Sequence, residues 1–141
     1  MFKLKESWSL FNLTRNGKQY IVRMNSWLWN IIPHPEYLYK IGIATPLNDP
    51  NEEGFPTTQE NQELQRLEDK LIDKMGNKSD SIFAGTIIGG GMKEFIFYSS
   101  DLNVAKKTFN DIKSKVRNRR LQISAEEDRN WDVFKQLCPQ K

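Results

Sequence analysis

The chain has 141 residues, 38% of them hydrophobic and 28% charged, a balance that suits one folded domain with its own core and excludes a disordered polymer or a membrane-embedded chain. With Cys138 as the only cysteine and His34 as the only histidine, neither an intramolecular disulfide nor a zinc site built from those ligands can form. The net charge of +3 is small but uneven: residues 101–125 carry Lys106, Lys107, Lys113, Lys115, Arg117, Arg119 and Arg120 against Asp101 and Asp111, while residues 60–80 lean acidic.

The first residues, Met1 to Glu6, lack an apolar stretch and a small-residue cleavage site, so export by a standard signal peptide is not expected and a cytoplasmic location is. Apolar runs such as residues 27–33 are too short to span a bilayer. Residues 7–13 and 19–24 flank Asn16-Gly17, a dipeptide suited to the positive φ angles of a tight hairpin. Alternation of Trp8, Leu10 and Asn12 with Ser9 and Phe11 predicts that one face of this strand is at least partly buried. Residues 25–35, with Trp27, Trp29, Pro33 and Pro35, read as an irregular apolar connection.

Residues 36–44 alternate as a strand, with Tyr37, Tyr39, Ile41 and Ile43 in phase, and a polar loop follows at residues 48–54. Thr57 and Glu60 have capping-box spacing ahead of Leu64, Leu67, Leu71, Ile72 and Met75, with Gly76 as the expected helix stop. Residues 81–88 and 93–99 form a second predicted hairpin across Gly89-Gly90-Gly91. A second helix is predicted over 101–117, a short strand over 120–124, and a last helix from Asp128 to Pro139. The strand-helix-strand-strand-helix-strand order over residues 36–124 predicts an α+β fold with a ferredoxin-like β-α-β-β-α-β core and an antiparallel sheet. The hairpin at 7–25 and the helix at 128–138 extend or cover that sheet, all within a single domain.

Gly54-Phe55-Pro56 followed by Glu60, Leu64, Leu67, Glu68 and Asp69, then Gly85-Thr86 and the block from Gly91 through Lys93 to Tyr98, and finally Asp128, Trp131, Phe134, Leu137 and Pro139, resemble the successive blocks of the bacterial domain-of-unknown-function family 695. The resemblance runs from about Trp8 to Pro139. Lys93 stands where the family favours arginine, and Phe95 and Phe134 where tryptophan and tyrosine are common. The family supplies no activity to carry over. It implies a context shared with proteins that inhibit ribonuclease E, which is an association rather than a mechanism.

The residues themselves point weakly to catalysis. His34 lies between two prolines and reads as a loop residue, Cys138 as a packing residue, and no spacing supports a metal site or cofactor. Glu68 and Asp69 point about 100° apart on their helix and read either as a solvated face or, for one of them, as a structural partner of Lys93. The glycine run leads into a strand rather than a helix N-terminus, so it is a turn and not a phosphate loop.

The leading expectation is therefore a non-enzymatic binding or regulatory module acting through a protein partner. An RNA-binding module is the first alternative, because Tyr37, Tyr39, Phe95, Phe97 and Tyr98 would occupy strands that stack bases in the RNA-recognition motif. Lys113, Lys115, Arg117, Arg119 and Arg120 would contact phosphate. A small enzyme relying on carboxylates is the third. A sheet face covered by Trp8, Trp27 or Trp29 favours the protein partner; an open aromatic face with a cationic rim favours RNA.

Overall fold

The computed structural model describes residues 4–140. Its elements are β1 (Trp8–Arg15), β2 (Lys18–Asn25), a 3-10 turn (Ser26–Asn30), β3 (Tyr39–Pro46), α1 (Thr58–Ser79), β4 (Ser81–Gly89), β5 (Met92–Ser99), α2 (Leu102–Lys115), β6 (Gln122–Glu127) and α3 (Asp132–Leu137). The six strands form one antiparallel sheet in the order β1-β2-β4-β5-β3-β6. Its β4-β5-β3-β6 portion, with the two long helices between strands, follows the predicted core in outline, and the first hairpin widens the sheet by pairing β2 with β4. No helix among the described residues is long and apolar enough to cross a membrane.

Both tight hairpins use two-residue turns in the left-handed region, Asn16 and Gly17 at φ 53° and 77° and Gly90 and Gly91 at 61° and 79°. This backbone matches the right-handed twist of the flanking strands. Gly54, also left-handed at φ 87°, lies directly on the second turn. A Cβ there would meet Gly90 N at 2.8 Å, and Gly91 N donates to Gly54 O at 3.1 Å. That close approach accounts for glycine at this position of the sequence block.

Each sheet face carries its own core. Leu67, Leu71 and Met75 of α1 and Ala105, Phe109 and Ile112 of α2 bury Ile41, Ile43, Phe95 and Phe97. On the other face the 3-10 turn and α3 bury Val22, Met24, Ile82, Ile96 and Tyr98, using Leu28, Trp131 and Phe134, with Trp27 and Trp29 packed alongside. The additions to the core therefore cover the face that the two long helices leave open.

Local expectations change, the last strand and the last helix beginning at Gln122 and Asp132 rather than at 120 and 128. Tyr37 is out of phase with Tyr39: the chain turns at residues 34–38, with Tyr37 N donating to His34 O. Tyr37 then joins the α3-side core, whereas Tyr39 packs toward α1 and α2. Helix α1 runs through Gly76 to Ser79 and is closed by Asp80 at φ 48°. Asp80 is held in that left-handed conformation by tertiary partners, since its carboxylate accepts from Tyr37 Oη at 2.9 Å and Ser100 Oγ at 3.2 Å. The capping box is only half made. Thr57 Oγ1 accepts from Glu60 N, but the Glu60 carboxylate instead takes the amides of Asn48 and Asp49 and pairs with Arg119.

The closing helix is latched by side chains from three sequence blocks. Tyr98 Oη donates to Asp128 Oδ2 at 2.8 Å and accepts from Phe134 N at 3.1 Å. The Asp128 carboxylate also accepts from the amides of Asp132 and Val133, so it caps α3 from beyond the usual N-cap position. Trp131 stacks on Tyr98 with ring centroids 3.7 Å apart. Burial, reinforced by the neighbouring Asp128 carboxylate, pushes the Tyr98 phenol well above its ordinary range, which keeps it a donor.

Candidate partner-binding groove

The face of the first hairpin that looks toward α1 is identified by Arg23, whose Nη2 meets Glu68 Oε1 of α1 at 2.7 Å. The β1–β2 register places Leu10 opposite Arg23, Trp8 opposite Asn25 and Asn12 opposite Ile21, so all of these share that face. One face of β1 is partly buried, as the alternation predicts, but it is not this one: Leu10 is 72% exposed and Trp8 and Ile21 are each 38% exposed. Phe11 and Leu13, on the opposite face, pack into the α3-side core instead. The hairpin projects past the edge of α1, so its α1-facing side lacks the helical cover that Phe95 and Phe97 receive.

Between that face and α1 lies a groove of about 830 Å³, lined among others by Leu4, Trp8, Arg23, Glu68, Ile72 and Phe83. The Trp8 ring lies 5.7 Å from that of Phe83, and the Arg23 guanidinium sits 4.9 Å from the Trp8 ring centroid, a cation-π arrangement that fixes the indole at the mouth. The incoming chain is clasped by Asn25, which is buried. Its Oδ1 accepts from Ser7 N and Trp27 N, and its Nδ2 donates to Lys5 O.

The wall of the groove is ionic. Glu68 is 4% exposed, pairs with Arg23 and with Lys93 at 3.8 Å, and accepts from Gln65 Nε2. The solvated-face reading thus fails for Glu68 and holds for Asp69, which is exposed and accepts from Gln65 Nε2. Burial lowers the Lys93 pKa; Glu68 opposes that shift and Arg23 adds to it. Arg23 Nε is buried without an acceptor, an unmet donor beside the groove.

The basic run divides. Lys113, Lys115, Arg117 and Arg120 are exposed, whereas Arg119 is turned inward, its guanidinium meeting Glu60 at 2.9 Å, Glu63 at 3.3 Å and Pro46 O at 3.2 Å. Burial pushes the Glu60 carboxyl up, but the amides of Asn48 and Asp49 and the Arg119 guanidinium outweigh it and hold the pKa below the ordinary value. Phe95 and Phe97 are fully buried under α1 and α2, and Tyr37 is buried on the other face. No ring among these three is presented for a base to stack on.

His34 packs edge-on to Tyr37 and accepts from Glu36 N. Cys138 is buried, and its thiol is pushed up by that burial, the opposite of what activates a thiol. No group of three His, Cys, Asp or Glu residues placed to hold a metal ion exists among the described residues.

Of the sequence-block positions, Tyr98, Asp128 and Trp131 build the α3 latch, Gly54 seats the loop before α1, Pro56 precedes the Thr57 cap, and Glu68 and Lys93 meet at the groove. Sequence reasoning alone misses Arg23, Leu10, Ile21 and Ile72 as members of this surface. A family model described as a family of unknown function, DUF695, matches residues 6–138. No curated protein and no solved structure matches the chain.

Proposed function

The chain belongs to DUF695, a family of unknown function, so its role has to be argued from its surface, and we propose that it is a non-enzymatic binding module whose protein partner docks in the groove between the first hairpin and α1. The observation that carries this reading is the distribution of apolar exposure. Of the six large hydrophobic side chains exposed among the described residues, five (Leu4, Trp8, Leu10, Ile21 and Ile72) lie on this side of the molecule, and only Val104 lies elsewhere. A clustered apolar patch rimmed by polar groups is the surface signature of protein recognition.

The open edge of β1 points the same way. It is an eight-residue strand with no proline and no charge before Arg15, and it lacks the devices that normally protect an edge from another strand. The opposite edge, β6, is shorter and ends in Glu126-Glu127. An extended partner segment pairing along β1 would gain main-chain hydrogen bonds while setting its side chains against Trp8 and Leu10. The buried acids support binding over catalysis: Glu60 and Glu68 are each engaged by cations and amides rather than poised toward a cavity as free acids or bases.

The test is affinity capture from lysate with and without ribonuclease, comparing the natural chain with Leu10→Glu and with Val104→Glu as a surface control. The expected result is a protein retained after ribonuclease, kept by Val104→Glu and lost by Leu10→Glu. Leu10 lies on the groove side of β1, beside the residues that line the groove, and loss of a hot-spot contact costs about 2 kcal/mol or more, roughly thirtyfold in affinity. Capture that requires RNA, or that survives Leu10→Glu, overturns the reading.

A further inference from the structure

On the opposite flank of α1 a second, smaller cavity of about 290 Å³ lies where α1, the end of α2 and the following loop meet, lined among others by Arg66, Lys70, Lys115, Arg117, Arg119 and Glu63. Five cations thus surround one carboxylate. Arg119 is neutralised by Glu60 and Glu63, and Lys115 reaches Asp111 at 3.5 Å. Arg66, Lys70 and Arg117 take part in none of the ion pairs formed among the described residues. They converge from two different elements on one concavity, although α1 offers many acids with which surface cations could have paired.

Like charges gathered around one concavity repel one another unless an anion joins them, and such a cleft focuses positive potential on whatever enters it. We propose that this cavity is a binding site for a small molecule bearing a chain of two or three phosphate groups. Arg66, Lys70 and Arg117 stand outside any ion pair among the described residues and come from two elements, so each can meet a different phosphate group of such a chain, which a single phosphate does not offer. The immobilised Arg119, anchored on Glu60, Glu63 and Pro46 O, supplies a rigid wall that loses little freedom on binding. The cavity is at the small end of ligand sites, and the cations converge rather than running as a stripe. With Phe95 and Phe97 buried, no adjoining base-stacking platform accompanies them. These features favour a compact polyphosphate over a nucleic-acid strand.

Lys113 and Arg120 belong to the same basic segment but do not line the cavity, and they provide a matched control. The experiment is calorimetric titration of the full chain at low salt with tripolyphosphate, pyrophosphate and inorganic phosphate, for the natural chain, the Lys70→Gln/Arg117→Gln pair and the Lys113→Gln/Arg120→Gln pair. All four positions are exposed, and circular dichroism checks that each variant is folded. The expected result is one saturable site preferring the longer phosphate chains, weakened about a hundredfold by the cavity pair, at roughly tenfold per charge-assisted contact, and less than about threefold by the control pair. Absence of saturable binding, or equal losses in both pairs, overturns the proposal. So does displacement of tripolyphosphate by a short RNA that binds more tightly and is weakened by both pairs, which assigns the segment to nucleic acid.

Discussion

Trp131→Ala is expected to lower the unfolding free energy by about 4 kcal/mol, within the range for deleting a fully buried tryptophan. The indole is 0% exposed, stacks on Tyr98 with rings only 7° from parallel, and contacts Phe134 edge-on. Its Nε1 donates to Tyr37 O at 2.8 Å, so truncation opens a cavity and removes a buried hydrogen bond at once. The ring also joins β5, the turn before β3 and α3, the three pieces that close the second sheet face. Since a domain of this size is stable by only about 5–15 kcal/mol, urea denaturation should show the midpoint falling steeply. A loss under about 1 kcal/mol would show that the α3-side core contributes little.

Glu68→Ala is expected to cost about 3 kcal/mol at neutral pH, because it leaves Arg23 and Lys93 facing one another without their shared carboxylate. Breaking a buried pair from one side typically costs about 3–5 kcal/mol, and the lower end applies here because the Arg23 side chain retains 31% exposure. The pH dependence has a definite sign. Lys93 has a folded pKa below its ordinary value, so between that pKa and the unfolded value near 10.5 the unfolded chain binds more protons, and stability rises with pH.

Removing Glu68, which opposes that depression, widens the window, so part of the variant's deficit should disappear between pH 7 and about pH 10. Above about pH 10 the opposite effect takes over. Tyr37, pushed up to about 12 by burial and then by Asp80, and Tyr98 hold their protons longer in the folded chain, and their stabilisation is lost as pH climbs through that range. Urea midpoints measured at pH 7 and 9.5 for the natural chain and the variant check this. A deficit that does not shrink with pH would show that Lys93 is not the destabilised partner.

The elements were legible in the sequence wherever local chemistry decides them. Asn16-Gly17 and the glycine run demand left-handed turns, the Leu64-to-Met75 spacing demands a helix, and their chain order already implies the antiparallel core. What the sequence could not reveal depends on partners distant in the chain. Whether Glu60 reaches back to its own helix end or across to Arg119, and whether Glu68 is solvated or paired, is decided by β2, β5 and the loop after α2, 25 to 59 residues away from their partners. Hydrophobic alternation in β1 was real but ambiguous, because Trp8 and Leu10 on one face and Phe11 and Leu13 on the other are both apolar. Only the reach of α1 decides which of them is covered. The groove was therefore hidden in a strand whose two faces look alike in one dimension.

The most direct test of a partner-binding groove is site-specific photo-crosslinking in cells, with a photoreactive phenylalanine analogue placed at Leu10 in one version of the chain and at Val104 in another. Both positions are exposed, and only the first lies on the groove side. The proposed docking predicts one discrete protein adduct from Leu10, absent from Val104 and lost when Trp8→Ala is added. No adduct at Leu10, or the same adducts from both positions, would contradict the groove as the working surface of this protein.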